Sequence, residues 1–596
     1  MLFQEKINKE MLEFNKRIEG PILEGDERYM WTYMEHNNKN RNAGIKNQVA
    51  KQTNSNWSLK SKNHQIIANK ALTDLNIIYL NYIFEMREAE LGPLYPEKSH
   101  YELSNNLLAN NKRSNILNLE SFELLMYSMN SFHGLSAHNR KFYWNSISQY
   151  FEPIYYDGDV SVFNPMLKGL QKQLQLKNID KVRTKLMILD KDQLFEDMLK
   201  SGSSLSREKF EKILEQIILN IDKIAYFNKG FINAPQNYYP QYHKQVLPQS
   251  NKHLLTAYIK NLSTTKTDED NIRLVFKQKD SNFLICKIDN LNCVVEILND
   301  KEIRSLLEGK LTKKNSTYQY IGNAFMFKDF LINEEMVQAE SKDKQLLRIN
   351  NTSFFYEKDI RVEYLEEKKI LNVYQKNSEA RAYFIGGALK DLEINFYGLN
   401  RKKDTIKNLF KFPFDKDRLT GCLSFFNLDL DNININAKKG TCEDTINFIN
   451  STGTINSIVI EESFADALDV DFSDLTIKNI SINNAGNDCA DFSWGNYEIK
   501  KAKTKGCVDK AFSIGEKSTV VIKDLNIENA NIGISSKDGS VTNLNKVIIK
   551  NTKICLEVKR KKQEFYGGII NIKNHKCKNN QIYKEEGSFI NNKNVL

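Results

Sequence analysis

Seven short segments in the last third of the chain repeat one pattern at a nearly constant spacing. Each begins with a polar residue or a cysteine and continues into apolar residues. The first residues are Cys422, Asp444, Asp466, Asp488, Asp509, Asn531 and Lys553, so the steps are 22, 22, 22, 21, 22 and 22 residues. A second strand pattern follows in the units, as in Leu475–Ile482 and Val520–Ile527. One unit cannot bury its own apolar side chains, so neighbouring units must stack. The spacing predicts a right-handed parallel β-helix over residues 381–575.

Polar side chains recur in these units and permit two interpretations. Asparagines that stack at solenoid turns satisfy backbone groups. This structural interpretation covers Asn479, Asn483, Asn526, Asn529 and Asn551. Alternatively, carboxylates form an acidic groove like those of polysaccharide lyases, hydrolases and epimerases, in which two carboxylates act as acid and base. The candidates for such a groove are Asp466, Asp469, Asp471, Asp488 and Asp491. No His or Arg in these units completes a glycosidase site, and the sequence leaves both interpretations open.

Chemically versatile residues also converge in a much shorter stretch, between Ser131 and Asp159. His133 and His138 precede Asn139 and Arg140, and two strand patterns follow, the second of which leads into Asp157. Two strands joined by a loop would place Asn139 and Asp157 at the same edge. An amide oxygen and a carboxylate are hard ligands of the kind that Mg²⁺ takes while it bridges nucleotide phosphates.

This stretch resembles the catalytic core of the CotH family of atypical protein kinases. That family shows an Asn before an aromatic strand and an Ile-Pro-Trp-Asp-like strand end; here Asn139 matches the Asn, Phe142-Tyr143-Trp144 the aromatic strand and Asp157 the terminal Asp. The resemblance implies that Asn139, Asp157 and Asp159 hold a metal ion, Mg²⁺ or Mn²⁺, and that ATP is the phosphoryl donor.

The chain departs from the family where a catalytic Asp is usual, a few residues before the Asn. No carboxylate lies between His133 and His138. Because a histidine can accept a hydroxyl proton near neutral pH, His133 and His138 are the predicted catalytic residues, together with Arg140. The alternative is that both histidines only cap the turn.

A second element of the family, Arg-x-Glu-Gly-Pro-Ile, occurs at residues 17–22. In the family it lies between the nucleotide-binding lobe and the catalytic core. We find no Gly-rich phosphate loop and no strand-borne Lys before it, so the nucleotide lobe is expected to be absent, reduced or carried elsewhere.

The patterns together predict a multidomain α+β chain. A CotH-like kinase core, mainly helical and with an incomplete nucleotide lobe, is expected at 1–230, because residues 63–90, 121–129 and 180–224 show helical periodicity. A linker and a β-rich connecting domain follow at 231–380, then the β-helix at 381–575 and a tail at 576–596. This order resembles that of larger bacterial CotH-like proteins.

Composition limits the partners. The net charge is +10, from 85 basic and 75 acidic residues, and aromatic residues do not alternate with the basic clusters, so nucleic-acid binding is not expected. The eight cysteines form no Cys-x-x-Cys pair, and we expect reduced thiols and no zinc site. No leader or apolar span is visible, which favours a soluble, cytoplasmic protein over a secreted one. The oligomeric state stays open.

Two functions from different classes follow. The first is a CotH-like phosphotransferase that moves a phosphoryl group from a nucleotide to a protein or a cell-surface glycan. The alternative is a non-catalytic scaffold, or a carbohydrate- or envelope-binding protein, built on the β-helix. The sequence does not identify the acceptor.

Overall fold

The structure is a computed structural model that describes residues 7–28, 49–90, 103–164, 176–200, 202–232, 250–264, 271–278, 282–288, 292–331, 344–399, 414–577 and 581–592. The chain forms two compact units. The first spans Glu19–Glu340, and the second combines Ser341–Leu596 with Lys9–Ile18. No helix within the described ranges is long and apolar enough to span a membrane.

The chain begins with helix α1 (Lys9–Phe14), which belongs to the second unit. The first unit combines helices with two sheets. Its helices are α2 (Ser55–Ser58), α3 (Lys62–Glu90), α4 (Asn105–Leu108), α5 (Arg113–Ser128), α6 (Leu176–Met187), α7 (Lys191–Lys200), α8 (Arg207–Ile232), α9 (Asn251–Thr264) and α10 (Asp300–Leu307). Its strands are β1 (Ile22–Gly25), β2 (Ala50–Gln52), β3 (Lys141–Asn145), β4 (Tyr150–Ile154), β5 (Ile272–Lys277), β6 (Asn282–Lys287), β7 (Cys293–Ile297), β8 (Thr312–Lys313) and β9 (Ser316–Asn323).

Helix α3 joins the two sheets of this unit through one buried asparagine. The first sheet has the order β2-β1-β3-β4 and the second β7-β6-β5-β9-β8. The Asn76 side chain is fully buried; its Oδ1 accepts a hydrogen bond from Ala50 N at 2.7 Å, and its Nδ2 donates to the carbonyls of Tyr320 and Ile321 at 3.0 and 2.9 Å. The amide of Asn76 thus satisfies one backbone N–H of β2 and two backbone carbonyls of β9.

The expected mainly helical kinase-like lobe is wrong. The chain is 27% helical and 45% strand, and the first unit itself contains two sheets. The helical predictions at 63–90 and 121–129 are confirmed by α3 and α5, and α6, α7 and α8 cover most of 180–224. The error arose at β1 and β2, which are too short to show periodicity and which find their partners far along the chain.

The second unit is a β-solenoid of about nine turns. Antiparallel hairpins open it, and parallel pairing continues from the fourth strand onward. Its strands are β10 (Lys344–Ile349), β11 (Thr352–Glu357), β12 (Ile360–Leu365), β13 (Ile370–Gln375), β14 (Ala382–Ile385), β15 (Ala388–Lys390), β16 (Glu393–Tyr397), β17 (Gly421–Phe426), β18 (Asp429–Gly440), β19 (Asp444–Ile449), β20 (Thr452–Ser463), β21 (Asp466–Asp471), β22 (Asp474–Ala485), β23 (Ala490–Ser493), β24 (Asn496–Gly515), β25 (Thr519–Lys537), β26 (Val541–Lys559), β27 (Ile569–Cys577), β28 (Ile582–Lys584) and β29 (Phe589–Asn592). The parallel β-helix is confirmed, whereas its right hand stays a prediction. The boundary between the two units lies at residues 340–341, within the region 231–380 for which the sequence predicts a linker and a β-rich connecting domain.

Aligned side chains form the core and the turns of the solenoid. One inward column stacks a single apolar residue per coil, each at most 1% exposed: Ile455, Ile477, Ile499, Ile522, Leu544 and Ile572. Asn529 and Asn551 occupy left-handed turn positions at φ +59° and +54°, and the Asn551 amide donates to Asn529 Oδ1 at 3.1 Å. The structural interpretation of the asparagines therefore holds for this pair.

All eight cysteines are paired, so the expectation of reduced thiols is wrong. Cys286–Cys293 links β6 to β7, and the other bonds, Cys422–Cys442, Cys489–Cys507 and Cys555–Cys577, lie in the solenoid. The partners lie on different strands or coils, and a sequence without close Cys pairs does not reveal such pairing.

Carboxylates of successive coils also stack, on the short strands β19, β21 and β23. Asp444 pairs in register with Asp466, and Asp469 with Asp491. Burial, with the charge of Asp488, raises the pKa of Asp466 to about 7; burial, with the charges of Asp491 and Glu516, raises that of Asp471 to about 8. Protons rather than cations thus relieve part of the repulsion in the folded chain.

These raised pKa values predict that the solenoid loses stability as the pH rises. A carboxyl whose pKa is higher folded than unfolded contributes stability that is complete below the unfolded value, about 3.9, and is lost through the folded value. Between the unfolded value of about 4 and the folded values of about 7 and about 8, each such group should lower the free energy of unfolding by at most about 1.4 kcal/mol per pH unit, and the decrease should level off at higher pH. Urea unfolding followed by circular dichroism measures this slope.

Asp471→Asn should make the slope shallower, because the amide cannot ionise. Asp524→Asn is the matched control, since this side chain lies on a long strand, is 44% exposed and pairs with Lys546 at 3.5 Å. A solenoid that gains stability between about pH 6 and pH 9 would contradict the protonated stack.

Candidate functional site

The predicted hairpin forms, and a third strand lies beside it. Strands β3 and β4 pair antiparallel, and β1 pairs with β3 on the other side, with Ile22 opposite Tyr143 and Glu24 opposite Lys141. The Arg-x-Glu-Gly-Pro-Ile element thus leads directly into the strand that borders the hairpin.

Two glycines allow the loop before β3 to lie against the chain after β4. A Cβ added to Gly134 would come within 2.7 Å of the Tyr156 carbonyl oxygen, and one added to Gly158 within 2.9 Å of Ser131 Cβ. Any larger residue would push the two segments apart. This close approach holds the turn with His133 beside Asp157.

Four of the six predicted site residues meet at this place. The Asn139 amide Nδ2 lies 3.4 Å from Asp157 Oδ2 and equally far from the His133 carbonyl oxygen. His133 Nε2 lies 3.6 Å from the same Asp157 oxygen, and the rings of His133 and His138 stand edge to face at 5.8 Å. Asp157 has a left-handed backbone (φ +43°) and a side chain that is 55% exposed, so its carboxylate can accept a ligand from solvent.

Burial sets the protonation of two groups here. It lowers the pKa of His138, against the opposing charges of Glu27 and Asp157. Among the described residues, His138 Nδ1 has no hydrogen-bond partner. Burial also lowers the pKa of Lys141 to about 8, although Asp157 opposes it. The imidazole is therefore held neutral, and the ammonium of Lys141 loses its proton more readily than an exposed lysine.

Sequence reasoning missed a row of charges that crosses this sheet. Glu24 stands between Lys51 and Lys141 in register, with its Oε1 3.2 Å from Lys51 Nζ and its Oε2 in contact with Lys141 Nζ. Lys141 Nζ also lies 3.9 Å from the centre of the Tyr156 ring. Lys51 is a strand-borne lysine that follows the Arg-x-Glu-Gly-Pro-Ile element. In the sequence, the signal for this lysine is the short strand pattern at residues 50–52, which lies after the Arg-x-Glu-Gly-Pro-Ile element rather than before it.

Arg140 and Asp159 lie apart from these four. Arg140 is 2% exposed, donates to Glu123 Oε1 at 3.4 Å and stacks over Phe142, which favours a structural role. Asp159 is exposed, and in the described part of the chain it has no hydrogen bond or ion pair with the other five predicted residues.

The donor set suits a lightly held magnesium ion. Among the described residues, no group of three or more His, Cys, Asp or Glu side chains is placed to hold a metal. Asp157 would supply one carboxylate and Asn139 one amide oxygen. Two protein ligands are compatible with Mg²⁺, which usually keeps several waters and takes further oxygens from phosphates.

No family model, curated protein or solved structure matches this sequence. The resemblance to CotH kinases therefore stays a prediction that rests on residues 17–22 and 131–159.

A substitution of Arg140 separates structure from catalysis. Arg140→Met should lower the free energy of unfolding by about 3–5 kcal/mol, because it removes the guanidinium that pairs with the buried carboxylate of Glu123. Adding Glu123→Gln, which keeps an acceptor for Asn105 Nδ2, should recover much of that loss. Arg183→Met is the control, since its ion pair with Asp222 is exposed and should cost less than about 1 kcal/mol. Thermal and urea unfolding measure these effects, and an undiminished stability of Arg140→Met would contradict the structural role.

Proposed function

We propose that the chain is a CotH-like phosphotransferase that moves the γ-phosphoryl group of ATP to a protein or cell-surface glycan acceptor. The supporting observation is the meeting of Asn139 and Asp157, 3.4 Å apart, beside Lys141 and two histidines. Asn139 and Asp157 would hold Mg²⁺ or Mn²⁺, which supplies charge stabilisation to the phosphates. The chain's own side chains position the donor and take up a proton.

The row Lys51–Glu24–Lys141 supplies the positive side of this site. The carboxylate of Glu24 pairs with both lysines. A phosphate oxygen that enters the site can therefore pair with either ammonium while Glu24 stays paired with the other. A lysine that pairs with a glutamate and contacts phosphates is a recurring feature of kinases. We assign to Lys51 and Lys141 the contact with the nucleotide phosphates, for which no strand-borne lysine was found before residue 17.

His138 is proposed as the group that accepts the acceptor's hydroxyl proton. Burial lowers its pKa, so the ring stays neutral at physiological pH and retains a lone pair. His133 lies nearer to Asp157 and is proposed to position that carboxylate.

The disulfides favour an oxidising compartment as the place of action, because such bonds persist there. A surface protein or glycan is an acceptor compatible with that setting. The alternative function, a non-catalytic scaffold, is separated from this proposal by the experiments that follow.

Asp157→Ala should abolish Mg²⁺-dependent ATP binding and leave the fold unchanged. The carboxylate is 55% exposed, so its removal costs a ligand and little packing. Calorimetric titration of the full chain with Mg-ATP measures the affinity.

Asp192→Ala is the matched control, an exposed carboxylate of the same unit that pairs with Arg207. Asp159→Ala tests the other predicted metal ligand and should weaken binding less than Asp157→Ala. Unchanged Mg-ATP affinity in Asp157→Ala would reject that residue as a ligand, and no ATP binding or phosphoryl transfer by the wild type would support the scaffold.

The pH profile of phosphoryl transfer should identify the base. Because burial lowers the pKa of His138, the acid limb should have its midpoint below the ordinary histidine value of about 6.5. His138→Gln should reduce the rate by roughly 10²- to 10⁴-fold and flatten that limb. His133→Gln should retain the limb. A limb that persists in His138→Gln would exclude this assignment.

A further inference from the structure

A continuous row of polar side chains crosses the strands β17, β19, β21 and β23 and the C-terminal parts of β24, β25 and β26. We call it the polar row; its members stand in register on successive coils, and they are Ser424, Asn447, Asp469, Asp491, Ser513, Ser535 and Glu557. Neighbouring strands lie about 4.8 Å apart, so the row extends over roughly 29 Å. None of these seven residues belongs to the phosphotransferase site around Asn139 and Asp157.

Several atoms in the row lack partners although they are buried. Asn447 is fully buried; its Nδ2 donates to Asp469 Oδ2 at 2.9 Å, which fixes the amide within the row, and its Oδ1 has no hydrogen-bond partner among the described residues. Asp491 Oδ1 and Ser424 Oγ have none either. Buried acceptors are normally satisfied, because an unmade bond costs about 1–3 kcal/mol. The row thus presents acceptors for a ligand that donates hydrogen bonds.

An aromatic side chain borders the same stretch. Trp494 follows the last residue of β23, three residues after Asp491, with a left-handed backbone (φ +50°). It stacks on Phe472 of the coil before, at 6.4 Å, and its indole Nε1 has no partner in the described ranges. Phe565 packs edge to face on the indole, with the ring centres 5.7 Å apart, and Lys517 Nζ lies 5.7 Å from the indole centre. The group that this border offers a hydroxyl-rich ligand is therefore the indole N–H.

We propose that the polar row is a second active site, in which Asp469 and Asp491 hydrolyse a glycosidic bond of a neutral glycan chain. The two residues are register partners on adjacent parallel strands. A strand separation of about 4.8 Å is close to the roughly 5–5.5 Å between the carboxyls of retaining glycosidases and shorter than the roughly 6.5–9.5 Å of inverting ones.

The surroundings divide the two roles. Burial and the charges of Asp471 and Asp444 raise the pKa of Asp469 well above its usual range, so it carries a proton. Burial raises the pKa of Asp491 as well, but Lys537 Nζ lies 3.9 Å from its Oδ2, opposes part of that rise and pairs with the ionised carboxylate. Asp469 is therefore the acid, and Asp491 the nucleophile.

The reaction balances with water as the second substrate. Asp469 gives its proton to the glycosidic oxygen as the bond from that oxygen to the anomeric carbon breaks, and the Asp491 carboxylate forms an ester bond with that carbon. The Asp469 carboxylate then takes a proton from water, whose oxygen attacks the anomeric carbon and releases Asp491. One bond is hydrolysed, one water is consumed, and both carboxyls return to their initial states.

A neutral glycan fits the charge of the row better than an anionic one. Asp469 and Asp491 are acidic, and Asp471 lies beside them, whereas the carboxylate of Glu557 pairs with Lys559 Nζ at 3.0 Å. Lys537, almost fully buried, donates to Ser513 Oγ at 2.8 Å within the row. An anionic polysaccharide would meet these carboxylates at close range, whereas sugar hydroxyls donate to them.

Reducing-end release by the full chain, without ATP or added metal, tests the proposal independently of phosphoryl transfer. The probes are soluble β-1,3-glucan, β-1,4-xylan, β-1,4-galactan and α-1,4-glucan, with polygalacturonate as the anionic comparison. Hydrolysis of a neutral probe should fall by at least about 10²-fold in Asp469→Asn and in Asp491→Asn. Asp524→Asn should keep the wild-type rate, because this exposed carboxylate lies outside the polar row and pairs with Lys546. Circular dichroism confirms that each variant is folded.

The stereochemistry of the product gives a second measurement. Proton NMR of the first product should show the anomeric configuration of the substrate. Inversion, hydrolysis that persists in both Asn variants, a preference for polygalacturonate, or no hydrolysis of any neutral probe would each overturn the proposal.

Discussion

Strand register decides which charges stand beside each other in this protein. Residues paired across adjacent strands cannot move apart, because backbone hydrogen bonds fix the strands about 4.8 Å from one another. In the first unit, register sets Glu24 between Lys51 and Lys141, so opposite charges alternate across three strands. In the solenoid, it sets Asp469 beside Asp491. The same geometry gives an attractive row in one unit and a repulsive one in the other.

The two rows dispose of their charge by different means. In the first row, the ammonium groups of Lys51 and Lys141 neutralise Glu24. An anion that approaches can pair with these two cations alongside Glu24. Among the described residues, Lys537 reaches Asp491 and Ser513 in the polar row and Lys559 pairs with Glu557, and neither has an ion pair with Asp469. Burial leaves protonation as the remaining way to reduce the repulsion, and the raised pKa of Asp469 and Asp471 expresses this. An exchangeable proton held near neutral pH is what acid catalysis requires.

How much of this the sequence revealed depended on how far apart the interacting residues lie. The 22-residue spacing predicted the β-helix because each coil repeats the last, and the hairpin at 141–154 was visible because its strands are close in sequence. The mainly helical lobe was wrong because β1 pairs with β3 across more than a hundred residues and leaves no local signal. Asn139 and Asp157 could be placed together because they flank one hairpin that is local in sequence. Lys51 could not be placed with them, because its strand β2 reaches the site only through β1. The burial of Arg140 against Glu123 is likewise a tertiary fact.

The solenoid tolerates its carboxylates because its stability is distributed. Each coil contacts only its neighbours, and the inward column from Ile455 to Ile572 continues past the acidic coils without interruption. A repulsive pair therefore weakens two or three coils and leaves the apolar stacking of the others intact. Disulfides lie close by, since Cys489–Cys507 joins the coil of Asp491 to the next. A fold built from repeated, locally sufficient coils can thus place unfavourable charges on one face, where a single compact core would have to exclude them.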